Sequence, residues 1–208
     1  HTDPSTSAIM TPIYQTSTDV QEAPGVNKGY EYARSQNPTR FALEEAFALI
    51  EKGKFGLAFS SGVAATDAVI KLLEPGDEVI CGNDMYGGTY RLFTKIFEKF
   101  GIKFHYVHMQ EVENIARFMN DKTRLIWLET PTNPLMNITD IAAVAALAKG
   151  KNILVVFNCL GNLYKLRNHI LGLDHHMCFC TSFFSSIDGM SSHPFHHFIK
   201  QANRCGIH

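Results

Sequence analysis

The sequence has no apolar run of about 18 residues, so nothing in it reads as a membrane-spanning helix. It has no dominant charge either. A net charge of -1 gives no electrostatic case for binding nucleic acid or an anionic membrane. The opening stretch, HTDPSTSAIMTPIYQ, lacks the basic and apolar regions of a signal peptide, so a cytoplasmic location is the default expectation. The chain begins with His1 rather than methionine, as a trimmed chain or the visible part of a longer one would. Its five cysteines are an odd number without a secretory signal, which argues for free thiols over a disulfide framework. Internal repeats and low-complexity tracts are absent. What remains, 208 residues at 45% hydrophobic and 19% charged, suffices for one substantial core.

Residues 1–36 carry Pro4, Pro12, Pro24 and Gly25 and show no sustained periodicity, so they are expected to form an extended arm. The arm ends in GYEYARSQNPTR, where Tyr30, Tyr32, Arg34 and Arg40 interleave aromatic and guanidinium groups. That pattern suits either an anion or partner surface, or a solvated loop. Asn37-Pro38-Thr39 then caps a helix over FALEEAFALIEK, which stops at Gly53.

Strand and helix signals alternate from Phe55 to Val156. FGLAF reads as a strand, and Ser60-Ser61-Gly62 leads into the helix VAATDAVIKLL. A strand, a small-residue turn and a helix start can cradle a phosphate at Ser61 and Gly62, or Ser61 can simply cap the helix. The P-loop lysine is lacking, so a nucleoside triphosphate is not the expected ligand. EVICG is the next strand. Tyr86 follows its carboxyl end beside Gly87 and Gly88, where a flat ring can approach the backbone. A helix is expected over Thr89–Phe100, then strands at IKFHYV and TRLIWLE. The second of these runs into Thr130-Pro131-Thr132-Asn133-Pro134, a rigid loop that brings Asn133 to the same crevice. A helix over Ile141–Lys149 returns the chain to a buried strand at Ile153–Val156. The order specifies an α/β fold: a mostly parallel, helix-covered sheet with its site at the strand carboxyl ends.

YEYARSQNPTR, AFSSGVAAT, LEPGDEVICGNDMYGGTYR and WLETPTNP, in register from about residue 3 to residue 156, closely resemble the pyridoxal-phosphate enzymes of cysteine and methionine metabolism. That family includes cystathionine γ-lyase, cystathionine γ-synthase and methionine γ-lyase. The resemblance implies the large domain of fold-type I pyridoxal-phosphate transferases, and pyridoxal 5'-phosphate as cofactor. It implies that Ser61, Gly62 and Val63 hold the cofactor phosphate. Tyr86 would stack on the pyridine ring as both a catalytic and a cofactor residue. Asn133 would hydrogen-bond the ring's phenolic oxygen or the substrate, and Thr181 would contact the cofactor. Tyr32 and Arg34 match residues that reach a neighbouring subunit's phosphate, which makes residues 1–36 an inter-subunit clasp in a homodimer or homotetramer. The substrate would be a small amino acid.

Beyond Val156 the sequence departs from the family. In the register kept by Asn158, Tyr164, Arg167, Asp174, Met177 and Thr181, Phe157 occupies the position of the aspartate that keeps the ring nitrogen protonated. Phe179 occupies a serine position, and Ser182 that of the lysine that forms an imine with the cofactor. Serine cannot form an imine. The cofactor domain is accordingly expected over 37–182, followed by a divergent tail over 183–208, with the family's small C-terminal domain absent.

The inherited activity would be C–S β- or γ-elimination, or γ-replacement, on cystathionine, cysteine or homoserine derivatives, weak or absent in the chain as written. Lys165 is a conceivable substitute for the lost lysine. An alternative is a non-catalytic or regulatory subunit that completes a partner's site. A further alternative is zinc binding by the tail through His175, His176, Cys178, Cys180, His193, His196, His197, Cys205 and His208. Their spacing fits no established finger, and a frame-disturbed end produces similar clusters.

Overall fold

The computed structural model describes residues 3, 5–51 and 53–158, together with the backbone of two strands at 176–180 and 183–186. Before Pro38 the described residues form turns and two isolated bridges, Thr18 with Tyr32 and Ala23 with Val26. Helix α1 (Pro38–Ile50) starts where the sequence says it should. The Asn37 side chain accepts from the Thr39 and Arg40 N–H groups, and Pro38 takes the first helical position, where no N–H is needed. The arm is tied to this start, because Thr39 Oγ1 accepts from Tyr14 N at 2.9 Å.

Strand β1 (Phe55–Ala58) packs so closely on α1 that a Cβ at Gly56 would collide with the Glu44 carbonyl. Then follow α2 (Gly62–Ile70), β2 (Glu78–Gly82), α3 (Gly87–Lys95), β3 (Lys103–Val107), α4 (Val112–Phe118), β4 (Thr123–Glu129), α5 (Ile141–Ala148) and β5 (Leu154–Asn158). The strand backbones at 176–180 and 183–186 are β6 (His176–Cys180) and β7 (Phe183–Ser186).

The sheet order is β1-β6-β7-β5-β4-β2-β3. Every neighbouring pair is parallel except the two that involve β7, which runs against both β5 and β6. The carboxyl ends of β1, β2, β4 and β5 therefore share one edge of the sheet, as the alternating pattern requires.

Side chains alternate across that sheet and build a core on each face. Val79 and Cys81 of β2, Leu125 and Trp127 of β4, and Leu154 and Val156 of β5 meet Val69 of α2 and Phe93 of α3. On the other face Ile80, Ile126, Leu128, Val155 and Phe157 meet Ile115 of α4 and Val144 of α5. Phe93 stacks on Phe104 at 4.5 Å and meets Trp127 edge-on at 5.6 Å. Each fully buried large side chain contributes on the order of 1.5–3 kcal/mol, so this double layer is the main source of the fold's stability.

The structure departs from or adds to the sequence reading at three points. The helix expected over Thr89–Phe100 begins earlier, at Gly87, and α3 ends at Lys95. The chain tightens into a 3-10 turn at Phe97–Phe100 that stops at Gly101, whose φ of 83° suits glycine. Helix α4 was not expected from the sequence, because its seven residues bury one side chain, Ile115, and show no period. Residues 183–186, for which the sequence suggested no clear element, have a strand backbone in register with β5, Phe184 opposite Phe157 and Phe183 opposite Asn158.

Candidate functional site

Four strands deliver residues to the common edge. At the end of β1, Ser61 caps α2, and its hydroxyl accepts from Ala64 N at 3.1 Å. That leaves the Gly62 and Val63 N–H groups at the helix start, beyond the reach of any helical carbonyl. Cap and cradle are thus compatible: the hydroxyl serves the helix, and the first N–H groups remain for an anion.

At the end of β2, Tyr86 precedes the first turn of α3. The residue is 41% exposed, and its ring lies along Gly88, where a Cβ would collide with Tyr86 Cε1. The second glycine therefore accommodates the tyrosine's own ring. Tyr86 N donates to Glu129 Oε2 at 3.0 Å.

Glu129 ends β4 and is only 2% exposed. Burial, reinforced by the negative charge of Asp84, pushes its carboxyl up to about 7, while the Tyr86 N–H pulls the other way. Its Oε1 is buried with no hydrogen-bond partner among the described residues. A buried acceptor without a donor is unusual in a folded protein and leaves hydrogen-bonding capacity at the site.

Asp84, in the loop after β2, holds the loop after β4. Its Oδ2 accepts from the Thr132 hydroxyl, from Leu135 N at 3.1 Å and from Asn137 Nδ2 at 3.4 Å. Thr132 Oγ1 also accepts from Asn137 N at 2.9 Å, closing that loop. Asn133 lies between these anchors and is exposed. At the end of β5, Asn158 is buried and registers opposite Glu129, and Phe157 opposite Leu128. Glu129, Asp84 and Asn158 were not singled out from sequence. The available signal was a carboxylate closing the apolar run TRLIWLE at a strand's carboxyl end.

Other expected site residues lie elsewhere. Tyr32 and Arg34 are on the arm, with the Arg34 guanidinium over the Tyr32 ring at 4.9 Å. Among the described residues no hydrogen bond or ring contact links them to Ser61, Tyr86 or Asn133. Thr181, Ser182, Lys165 and most of the candidate tail ligands fall outside the described residues. Of Phe179, Cys178, Cys180 and His176 only the strand backbone is described, in β6.

The chain matches the family described as Cys/Met metabolism PLP-dependent enzyme over residues 1–185. It belongs to that family. Pyridoxal phosphate is the cofactor that membership implies. Curated relatives include cystathionine beta-lyase of Coxiella burnetii, 48% identical over 155 residues, which are 74% of this chain and 40% of the relative. Cystathionine gamma-lyase of Mus musculus is 41% identical over 178 residues, 85% of this chain and 45% of the relative. The crystal structure of cystathionine gamma-lyase from Lactobacillus plantarum complexed with L-serine superposes with a TM-score of 0.77 at 32% identity, covering 98% of this chain and 56% of that one. The crystal structure of metB from Corynebacterium glutamicum gives 0.77 at 34% identity, covering 97% and 55%. The chain thus spans about half the length of the relatives it matches. Among the described residues no helix is long and apolar enough to cross a membrane.

The geometry fits this cofactor in part. Free N–H groups at the start of α2 suit its phosphate, and the open face of Tyr86 suits its ring. Among the described residues of β5, the side chain before Asn158 is apolar. Phe157 is 2% exposed and belongs to the apolar cluster with Ile80, Leu128 and Val144.

Proposed function

We propose that this chain is a cofactor-binding portion of a pyridoxal-phosphate protein of sulfur amino-acid metabolism. Its inherited reaction class is C–S β- or γ-elimination, or γ-replacement, on cystathionine, cysteine or homoserine derivatives, with an amino acid as substrate. The chain itself is weakly active or inactive. In this reading Gly62 and Val63 bind the phosphate through their N–H groups, with Ser61 shaping the turn. Tyr86 covers one ring face, and Asn133 and Thr181 complete the contacts. When bound, the cofactor supplies an electron sink for carbanion chemistry. The observation that carries the conclusion on activity is Phe157, a buried apolar residue of β5 just before its last residue, where the family resemblance puts a carboxylate. The replacement of lysine by Ser182 removes the imine-forming amine as well.

The test is the intact mass of the chain after borohydride reduction with pyridoxal phosphate present. The expected result is the unmodified mass, with reversible binding seen separately by absorbance. A reduced adduct mapped to one lysine, Lys165 or another, would overturn the inactive reading.

A second reading has its own support. The arm exposes Ile9, Met10, Ile13 and Val20, and also Tyr32 and Arg34, apolar and cationic groups suited to a neighbouring subunit. Here the chain assembles as a homodimer or homotetramer, or completes a partner's site as a regulatory subunit. Light scattering gives the mass of the assembly. Co-purification with a full-length family member, accompanied by a change in that member's activity, distinguishes the regulatory role.

A further inference from the structure

We propose that Glu129 and Asp84 form a reciprocal carboxylate clasp that joins the loops after β2 and β4 into one unit, and that Glu129 is the positioning residue for Tyr86. The proposal rests on the reading above for the use of the Tyr86 ring.

Asp84 lies in the loop after β2 and Glu129 is the last residue of β4, and each bonds across to the other side. Asp84, on the β2 side, holds Thr132, Leu135 and Asn137 on the β4 side. Glu129, on the β4 side, holds the backbone of Tyr86 on the β2 side at 3.0 Å. The two strands are direct sheet neighbours, so the bonds cross a single strand spacing. Neither loop can shift without breaking the other's bond.

Tyr86 needs such a hold because no side chain caps α3. With the Tyr86 N–H fixed by Glu129 and the ring seated along Gly88, both ends of the residue are located. Asn133 gains from the opposite half of the clasp, since Thr132 before it and Leu135 after it are both bound to Asp84. The clasp thus sets the tyrosine face and the asparagine amide in one mutual geometry, which a site for a flat ring requires. Both carboxyl groups are buried, so their hydrogen bonds are shielded from competing water.

The experiment follows hydrogen exchange of individual amides in the full chain for wild type, Glu129→Ala and Glu129→Gln, together with pyridoxal-phosphate titrations. Glu129→Ala is expected to speed exchange of the Tyr86 amide about tenfold while leaving the Ile80 amide unchanged, the effect of losing one such bond. Its pyridoxal-phosphate dissociation constant should rise by a similar factor. Glu129→Gln keeps an oxygen acceptor of the same shape and should stay within about twofold of wild type in both readouts. The clasp is refuted if Tyr86 exchange is unchanged in Glu129→Ala, or if Tyr86 and Ile80 accelerate equally. Unaltered cofactor affinity in Glu129→Ala would refute the positioning role. A wild-type chain that binds no pyridoxal phosphate sinks the cofactor reading itself, and the exchange comparison then decides the clasp alone.

Discussion

Replacing Glu129 by glutamine should make the protein's stability less sensitive to alkaline pH. The carboxyl is buried at the end of β4 with Asp84 nearby, and its titration rises on folding from 4.5 to about 7. An acid raised in this way contributes its full stability below 4.5 and loses it as pH climbs through about 7, because the folded state must then carry a buried charge. Between about pH 5 and about pH 8 that loss has a ceiling of about 2.5 kcal/mol. An effective dielectric constant well above that of a dry interior reduces it to about 1–2 kcal/mol. Glutamine keeps the acceptor for the Tyr86 N–H but cannot ionise. Its second polar group inherits the unpartnered place of Oε1, a cost that is the same at every pH and cancels from the comparison. Urea unfolding at both pH values, followed by emission of the single, fully buried tryptophan, Trp127, gives the four free energies. The variant should gain about 1–2 kcal/mol on wild type in going from the lower pH to the higher. Curves that stay parallel within about 0.5 kcal/mol, or that diverge with the opposite sign, would refute the buried-charge account.

Glu78 behaves in the opposite sense: the Asn120 amide at 2.8 Å, then His105 at 2.6 Å, lower its carboxyl to about 2. The stability it contributes is present above 4.5 and lost as pH falls through about 2, so Asn120→Ala should move the acid-unfolding midpoint to higher pH in a circular-dichroism titration. An unmoved midpoint would remove Asn120 as the main cause. Gly88→Ala should displace the Tyr86 ring and weaken pyridoxal-phosphate binding about 2- to 10-fold by absorbance titration, the worth of one aromatic face. Unchanged affinity would mean the ring is not used. Burial drives the Cys81 thiol far up, so it should resist iodoacetamide in native buffer and react fully in denaturant, as read by peptide mass mapping. Native labelling at Cys81 would contradict its place in the core.

The strands that build the site were plain in the sequence where burial on both faces made their runs continuously apolar. EVICG and TRLIWLE correspond to β2 and β4 residue for residue. The start of α1 was readable because Asn37 and Pro38 act on their immediate neighbours. The clasp was not readable. Glu129 and Tyr86 are 43 residues apart, and Asp84 and Thr132 are 48 apart. They meet only because β4 lies beside β2 in the sheet, an order that no local pattern records. Helix α4 was hidden for a different reason, since a helix that buries one residue leaves no periodic trace. The antiparallel β7 was hidden by its length, four residues beyond a stretch already departing from the family's motifs.

The position of Phe157 decides whether one substitution could place the carboxylate that the proposed function calls for. Alternation along β5 puts Leu154 and Val156 on the face of α2 and α3, and Val155 and Phe157 on the face of α4 and α5. Phe157 is thus part of a closed apolar cluster with Ile80, Leu128 and Val144. Phe157→Asp would delete a buried ring, worth about 3–5 kcal/mol, and put a carboxyl among hydrocarbon. Such a group stays protonated to higher pH or opens the structure to water. Without cofactor the variant should therefore be about 3–5 kcal/mol less stable than wild type by urea unfolding, and the deficit should widen from about pH 5 to about pH 8 as the acid is forced to ionise. A variant within about 1 kcal/mol of wild type at the higher pH would show that position 157 already faces water and can host a charge. If the larger loss is found, an aspartate there requires a cationic ring nitrogen to pair with, and restoring activity would require the lysine at position 182 and the aspartate together.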